Sequence, residues 1–192
     1  MPIEETLDAL DGLVKSGKVR HIGLSNETSW GLSRFLHMSE TRSWPRVASV
    51  QNAYNLLNRT YEVGLAEFHA REQVGLLAYS PLGQGFLTGK YQRGARPPGS
   101  RTTLFERGQR YQKPGTEAAI DSYLGIARDF GLDPAQLAIA YVASRPFVTS
   151  AIIGATTLGQ LDTDLAALEV KITPEIEARI DAAHQLHGSP AP

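Results

Sequence analysis

Several stretches of the chain repeat apolar residues with the spacing of an amphipathic helix. The first covers residues 3–16, where acidic residues occupy the first turn and Gly17 follows the last apolar residue. The same pattern predicts helices over residues 29–38, 61–71, 116–130, 133–143, 158–168 and 174–184. Thr28 or Ser29 is expected to cap the second helix, and Asp133, which precedes a proline, is expected to cap a later one.

Four short apolar segments lack helical spacing and predict buried β-strands. They cover residues 20–24, 47–50, 74–78 and 148–153. The first three alternate with helices, and the residues that close them, Ser25, Gln51 and Tyr79, follow one another at nearly equal intervals. This order predicts an α/β fold with a parallel sheet, either part of a (β/α) barrel or a doubly wound sheet.

Composition narrows the class of protein. With 192 residues, 42% hydrophobic and 20% charged, the chain is expected to form one globular domain over residues 1–186, with a frayed tail at 187–192. A net charge of -1 gives no electrostatic reason to expect nucleic-acid or membrane binding. The sequence has no cysteine, which excludes disulfides and thiolate metal sites, and no metal site is predicted. No segment is apolar enough to span a bilayer and the N-terminus does not resemble a signal peptide, so we expect a cytoplasmic protein.

The stretch from Gly75 to Tyr91 has the most informative local pattern. An apolar strand ends at the aromatic Tyr79, and a loop with three glycines and then Lys90 follows. Glycines allow a backbone to approach a ligand closely, and a lysine can neutralise a phosphate. Many glycine-rich loops are only turns. The polar or glycine residues that close every predicted strand favour a binding site, since parallel α/β folds bind ligands at that edge.

Four segments occur in an order and spacing that resemble the aldo-keto reductases. They are SGKVRHIGLSN (16–26), QNAYNLLNR (51–59), LLAYSPLGQGFLTGKY (76–91) and IIGATTLGQL (152–161). As a set they are similar to the C-terminal half of an NADP(H)-dependent aldo-keto reductase, in the branch of Tas-like proteins and potassium-channel β subunits. The resemblance covers nearly the whole chain and implies a partial (β/α)8 TIM barrel, with the last four βα units, a preceding helix and C-terminal helices.

The resemblance also implies an NADP(H) site. The residues that match contacts to the nicotinamide are Ser25, Asn26 and Gln51 at the carboxamide and Tyr79 stacked on the ring. The residues that match the pyrophosphate loop and a lysine near the adenosine phosphate are Ser80, Leu82, Gly83, Gly85 and Lys90. The residues that match the loop and helix N-terminus around the 2′-phosphoribose and adenine are Gly154, Ala155, Thr156 and Gln160.

The catalytic residues of the family lie outside this resemblance. Its catalytic Asp, Tyr, Lys and His come from its first four strands, and none has a counterpart here, so no catalytic residue is assigned. His21, inside a predicted strand, is expected to be a core or second-layer histidine. Asp164 stands where the family commonly has an asparagine that contacts adenine. An ionised aspartate cannot donate a hydrogen bond, and its role stays open from the sequence.

Three functions remain open. The first is the cofactor-binding half of a reductase that transfers a hydride between nicotinamide and a carbonyl or alcohol. Trp30, Tyr54 and the arginine-rich segment 93–115 would then form part of the substrate rim, although ordinary packing explains Trp30 and Tyr54 equally well. The second is a non-catalytic nucleotide-binding or regulatory protein. The third is an inactive truncated gene product.

Half a barrel would leave two open sheet edges and an uncovered inner face. Val47, Ser49, Leu76 and Ala78, or their neighbours of opposite parity, are expected to line that face and to make it apolar. We therefore expect self-association or a missing N-terminal half to close the sheet, and a homodimer of two half-barrels is the simplest closure.

Overall fold

The computed structural model describes residues 2–105 and 109–191. The helices are α1 (Ile3–Lys15), α2 (Ser29–Arg42), α3 (Ala66–Glu72), α4 (Arg101–Phe105), α5 (Thr116–Asp129), α6 (Pro134–Ala143), α7 (Leu158–Ala166) and α8 (Pro174–His187). The strands are β1 (Ile22–Ser25), β2 (Val47–Ala53), β3 (Gly75–Tyr79) and β4 (Val148–Ile152). Arg107, in the arginine-rich segment, lies outside the described residues.

The strands form one parallel four-stranded sheet in the order β1-β2-β3-β4. The register pairs Ser25 with Gln51 and pairs Tyr79 with both Ala53 and Ile152. The carboxyl ends of the strands therefore lie at one edge of the sheet. This α/β architecture is consistent with a partial (β/α)8 barrel and confirms the predicted fold class.

The two faces of the sheet differ in what they carry. One face packs against helices and includes the buried side chains of Val47, Leu76 and Ala78. The register places mostly small or polar residues on the other face, namely Gly23, Ser49, Gln51, Gly75 and Leu77. Val47, Leu76 and Ala78 therefore do not line the open face. Ser49 does, together with Gly75 and Leu77, which are neighbours of opposite parity. Polar and small residues are more frequent on this face than expected.

Side-chain caps set two helix starts as predicted. Thr28 Oγ1, rather than Ser29, accepts a hydrogen bond from the Gly31 N–H (3.1 Å) at the start of α2. Asp133 accepts bonds from the first amides of α6. The predicted helix over residues 61–71 is instead a 3-10 turn at Thr60–Val63 followed by the shorter α3, because Gly64 leaves helical geometry between them.

Two expectations about exposure are wrong. His21 precedes β1 and is exposed, so it is not a core histidine. The C-terminal segment is docked through residue 191 and is not frayed: Ala191 is fully buried, and its N–H donates to the Leu57 carbonyl (3.2 Å). The Arg59 N–H donates to the Ser189 hydroxyl (3.0 Å) in the same segment. Hydrogen bonds to a distant loop hold this tail in place.

Candidate functional site

The carboxyl edge of the sheet brings the first group of predicted site residues together. The Tyr79 hydroxyl donates to Asn26 Oδ1 (2.8 Å), and the Asn26 N–H donates to the Gln51 carbonyl (3.0 Å). Asn26 has a φ of 54°, which asparagine tolerates better than most non-glycine residues. Ser25 and Gln51 are register partners beside this pair. The turn at the end of β1 thus places the Asn26 side chain in hydrogen-bond contact with the Tyr79 hydroxyl.

A buried asparagine holds the turn that follows Tyr79. Asn55 Nδ2 donates to the Ser80 carbonyl (3.0 Å), and Asn55 Oδ1 accepts from the Leu57 N–H (2.9 Å). The Ser80 carbonyl also accepts from the Gly83 N–H (2.8 Å). Because Asn55 is fully buried, these bonds have no water to replace them. They fix the backbone at the point where β3 leaves the sheet.

Gly85 lies where a side chain would collide with Lys90. Its φ is +93°, and a Cβ atom there would lie 2.9 Å from Lys90 Cε and 3.1 Å from Lys90 Nζ. The Lys90 ammonium lies 5.2 Å from the centre of the Tyr91 ring. The lysine therefore crosses the glycine turn and places a positive charge directly against its backbone.

The loop between β4 and α7 is ordered by its own side chains. Thr157 Oγ1 caps α7 by accepting from the Gln160 N–H (3.2 Å). Gln160 Oε1 accepts from the N–H (2.8 Å) and the hydroxyl (3.0 Å) of Thr156. The amide nitrogen of Gln160 therefore stays available to donate a hydrogen bond to a ligand.

These two loops border a groove of about 830 Å³. The predicted site residues that line it are Tyr79, Ser80, Leu82, Gly85, Lys90, Gly154, Thr156 and Gln160. The segment around α4 contributes Ser100, Arg101, Leu104 and Phe105. A volume of this size falls in the range of roughly 300–1,000 Å³ that is typical of small-molecule and cofactor sites.

The remaining predicted site residues lie outside this groove. Ser25 and Gln51 lie on the open face of the sheet, and Ala155 is exposed without lining the groove. Gly83 is buried, and a Cβ atom there would lie 3.3 Å from the Tyr111 ring. Asn26 lines a second, more open cleft of about 690 Å³, and Tyr79 lines both cavities.

The two aromatic residues expected at a substrate rim have different surroundings. Tyr54 is fully buried, and its hydroxyl donates to Glu62 (2.5 Å), so the packing interpretation is correct and the rim interpretation is wrong. Burial raises the pKa of the Tyr54 hydroxyl, and interactions with Tyr141 and Glu62 raise it further. Trp30 is 71% exposed and lines neither cavity.

The lining includes polar residues that were not predicted for the cofactor site, among them Tyr91, Arg101 and Asp133, and it includes Asp164, whose role the sequence left open. Tyr91 directly follows Lys90, which was a usable signal. Its hydroxyl is buried and has no hydrogen-bond partner among the residues that the structure describes. Arg101 lay among other arginines, with nothing local to distinguish it, and Asp133 was predicted only as a helix cap.

The lining carries both signs of charge. Lys90 and Arg101 are positive, and Asp133 and Asp164 are negative. Burial, and after it the charge of Asp133, raises the pKa of the Asp164 carboxyl above its ordinary value. The groove can therefore bind anionic groups through its cations, and ionisation of Asp164 is less favourable there than in water.

Comparison with known proteins identifies the family of this chain. The model of the Aldo/keto reductase family matches residues 1–185. This chain belongs to the aldo/keto reductase family. It is 50% identical to Protein tas of Escherichia coli (strain K12), over 98% of this chain and 54% of that protein.

Two further relatives have different functional names. The chain is 37% identical to an Aldo-keto reductase of Babesia bovis, over 96% of this chain and 67% of that protein. It is 33% identical to "Probable voltage-gated potassium channel subunit beta" of Oryza sativa subsp. japonica, over 96% of this chain and 58% of that protein. The chain spans about half the length of the curated relatives it matches. Among the described residues, no helix has the length and apolar character needed to cross a membrane.

Proposed function

We propose that this chain binds NADP(H) in the groove and forms the cofactor-binding part of an NADP(H)-dependent aldo-keto reductase. The observation that carries the proposal is the glycine turn at Gly85, crossed by the Lys90 side chain, in the wall of a groove whose other wall is the loop that starts α7. An anion can approach such a turn closely while the lysine neutralises it.

The other polar groups of the groove fit a dinucleotide. Lys90 and Arg101 can pair with phosphates. Tyr79 presents an aromatic face of the kind that stacks on a nicotinamide ring. The buried Tyr91 hydroxyl has no partner among the described residues, and a ribose or phosphate oxygen would remove the energetic penalty of leaving it unpaired.

In this proposal the chain orients the cofactor and does not supply the proton donor. When bound, the nicotinamide supplies the hydride that reduces the carbonyl carbon of a small-molecule substrate. Asn26 and Tyr79 are already joined at the nicotinamide end, with Ser25 and Gln51 beside them on the open face. No residue of this chain matches the family's catalytic Asp, Tyr, Lys and His.

The test is a fluorescence titration of NADPH with the purified chain. Replacing Tyr79 with alanine should weaken binding by about 0.5–1.5 kcal/mol beyond the loss of contact area. Tyr79→Phe is the matched control, because it keeps the ring and removes only the hydroxyl bond to Asn26. Equal affinities of wild type and Tyr79→Ala would show that the ring only packs. Absence of NADPH binding to the folded wild-type chain would refute the proposal.

A regulatory nucleotide-binding protein is the competing function, and the similarity to a potassium-channel β subunit favours it. A rescue experiment distinguishes the reductase function from the regulatory function. The chain alone should not turn over a generic aldehyde with NADPH. Turnover should appear after addition of the part of the E. coli relative that this chain does not cover. NADPH binding without rescue favours the regulatory function, and robust turnover by the chain alone contradicts the absence of a proton donor.

We also propose a cytoplasmic location and closure of the sheet by a second copy or by an N-terminal half. β1 and β4 each have a strand neighbour on one side only within the described sheet. Leu158, Leu165 and Leu168, on α7 and the turn after it, are exposed. Open strand edges and exposed leucines both favour association with another polypeptide.

A further inference from the structure

The loop that carries Asn26 is held against the end of β2 by a side-chain amide. Asn52 Oδ1 accepts from the Glu27 N–H (3.1 Å), and Asn52 Nδ2 donates to the Glu27 carbonyl (3.0 Å). One residue earlier, the Asn26 N–H donates to the Gln51 carbonyl (3.0 Å). A carboxamide offers one donor side and one acceptor side, as a peptide group does. The Asn52 side chain therefore continues the pairing of β1 with β2 beyond Ser25, where the backbone register ends.

This pairing holds a backbone conformation that is rare outside glycine. Asn26 has a φ of 54°, in the left-handed region, and such a residue keeps its conformation where the bonds around it fix the chain. The hydrogen bonds to Gln51 and Asn52 lie on either side of it. The Glu27 side chain turns to the start of α2, where its Oε1 accepts from the Thr28 N–H (2.8 Å). It is therefore the Glu27 backbone that Asn52 holds.

The fixed backbone sets the direction of the Asn26 side chain. Asn26 Oδ1 accepts from the Tyr79 hydroxyl (2.8 Å), so Nδ2 is the group that can donate to a ligand. Tyr79 lines both the groove and the neighbouring cleft, whereas Asn52 lines the cleft and not the groove. Asn52 thus supports the residues at the nicotinamide end of the groove from behind.

We infer that Asn52 is a positioning residue for nicotinamide, which holds Asn26 so that its amide donor and the Tyr79 ring meet that part of the ligand together. The inference rests on the proposed function. Asn52 holds the loop after β1, whereas the loops that carry Lys90 and Gln160 follow β3 and β4. Loss of Asn52 should therefore affect the nicotinamide half of the dinucleotide and spare its adenosine half. A purely structural role predicts no such difference.

Two ligands separate positioning from folding in a calorimetric titration. NADPH contains nicotinamide, and adenosine 2′,5′-bisphosphate lacks it but keeps the phosphorylated adenosine. We expect Asn52→Ala to weaken NADPH binding about fivefold, as for the loss of one hydrogen bond, and to leave the affinity for the bisphosphate unchanged. Asn58→Ala is the matched control. Asn58 lines the same cleft, but its Oδ1 accepts from the Thr60 N–H (3.2 Å) within its own turn, so both affinities should stay at the wild-type values.

A double-mutant cycle tests whether Asn52 acts through Asn26. Asn26→Gly removes the amide, and glycine adopts a positive φ without strain. In the Asn26→Gly background, Asn52→Ala should cause no further loss of NADPH affinity, because the group that it positions is gone. Additive losses from the two substitutions would show that Asn52 does not act through Asn26 and would overturn the inference.

The remaining outcomes separate this inference from the proposed function. Equal NADPH affinities of wild type and Asn52→Ala, or equal losses for both ligands, would overturn the inference while NADPH binding by wild type remains established. Absence of NADPH binding by the folded wild type would overturn both. Asn52→Asp is a milder variant in case Asn52→Ala does not fold. It keeps the acceptor for the Glu27 N–H and loses the donor to the Glu27 carbonyl, so a loss confined to NADPH is again expected.

Discussion

Replacing Arg59 with methionine is expected to destabilise the chain strongly, although Arg59 does not line the groove. The guanidinium donates to both oxygens of Glu62 (2.8 Å each) and to Asp181 (2.7 Å). It also lies 5.5 Å from the centre of the Tyr141 ring. Only 11% of the Arg59 side chain is exposed. One buried cation thus joins the loop after β2 to α6 and α8.

The size of the effect follows from burial. Removing one partner of a buried ion pair costs about 3–5 kcal/mol, because the remaining charge is left without its partner. An exposed pair contributes about 0.2–1 kcal/mol. Glu62 and Asp181 are partly exposed, so water can solvate them in part after the substitution. We therefore expect Arg59→Met to lower the free energy of unfolding by about 3 kcal/mol, at the lower end of the buried range.

Urea unfolding followed by circular dichroism measures this difference. Arg71→Met is the matched control, since Arg71 pairs with Glu67 on the surface and is 74% exposed. At a slope of about 2 kcal/mol per molar urea, 3 kcal/mol corresponds to a midpoint shift of about 1.5 M. The control should shift by less than about 0.5 M. Similar shifts for the two variants would refute the argument from burial.

The pH dependence of the same difference is a second check. Burial alone would raise the pKa of Glu62, but the hydrogen bonds from Arg59 and Tyr54 outweigh it and hold the pKa below its ordinary value. Such a group stabilises the fold above the pKa of the unfolded state, about 4.3, and this contribution is lost as pH falls through the lower folded value. The gap between wild type and Arg59→Met should therefore narrow in acid. A gap that stays constant down to pH 3 would contradict the assigned role of Glu62.

Two further predictions concern the groove and the sheet. Gly85→Ala should weaken NADPH binding by up to about tenfold, because a φ of +93° is strained for alanine and the new methyl group displaces the end of the Lys90 side chain, whose Cε lies 2.9 Å from the Cβ position. Gly159→Ala, which has open space around it, should bind like wild type, and equal losses in both would contradict the steric argument. Light scattering at micromolar concentration should show a dimer or larger species, and a stable monomer that binds no dye for exposed apolar surface would refute association through β1, β4 and α7.

Features that depend only on residues close together in the chain were predictable from the sequence. Thr28 and Asp133 were predicted as caps because a cap needs only its own side chain and the next two or three amides. Helical periodicity predicted α1, α5 and α6 for the same reason, since one face of each helix must be apolar. The loop from Ser80 to Lys90 was also identifiable, because its glycines and lysine lie within a few residues of one another.

Contacts between distant parts of the chain were decided only by the tertiary structure. Tyr54 is a core residue because it packs against α6 and donates a hydrogen bond to Glu62. The C-terminal tail is ordered because the Ala191 N–H donates to the Leu57 carbonyl. Asp164 became a buried groove residue because α7, which carries it, packs against α6. Burial and electrostatic environment depend on which segments pack together, and no spacing along the chain encodes that. The residue types of this site were therefore predictable, whereas their exposure was set by the packing of segments that are separated in sequence.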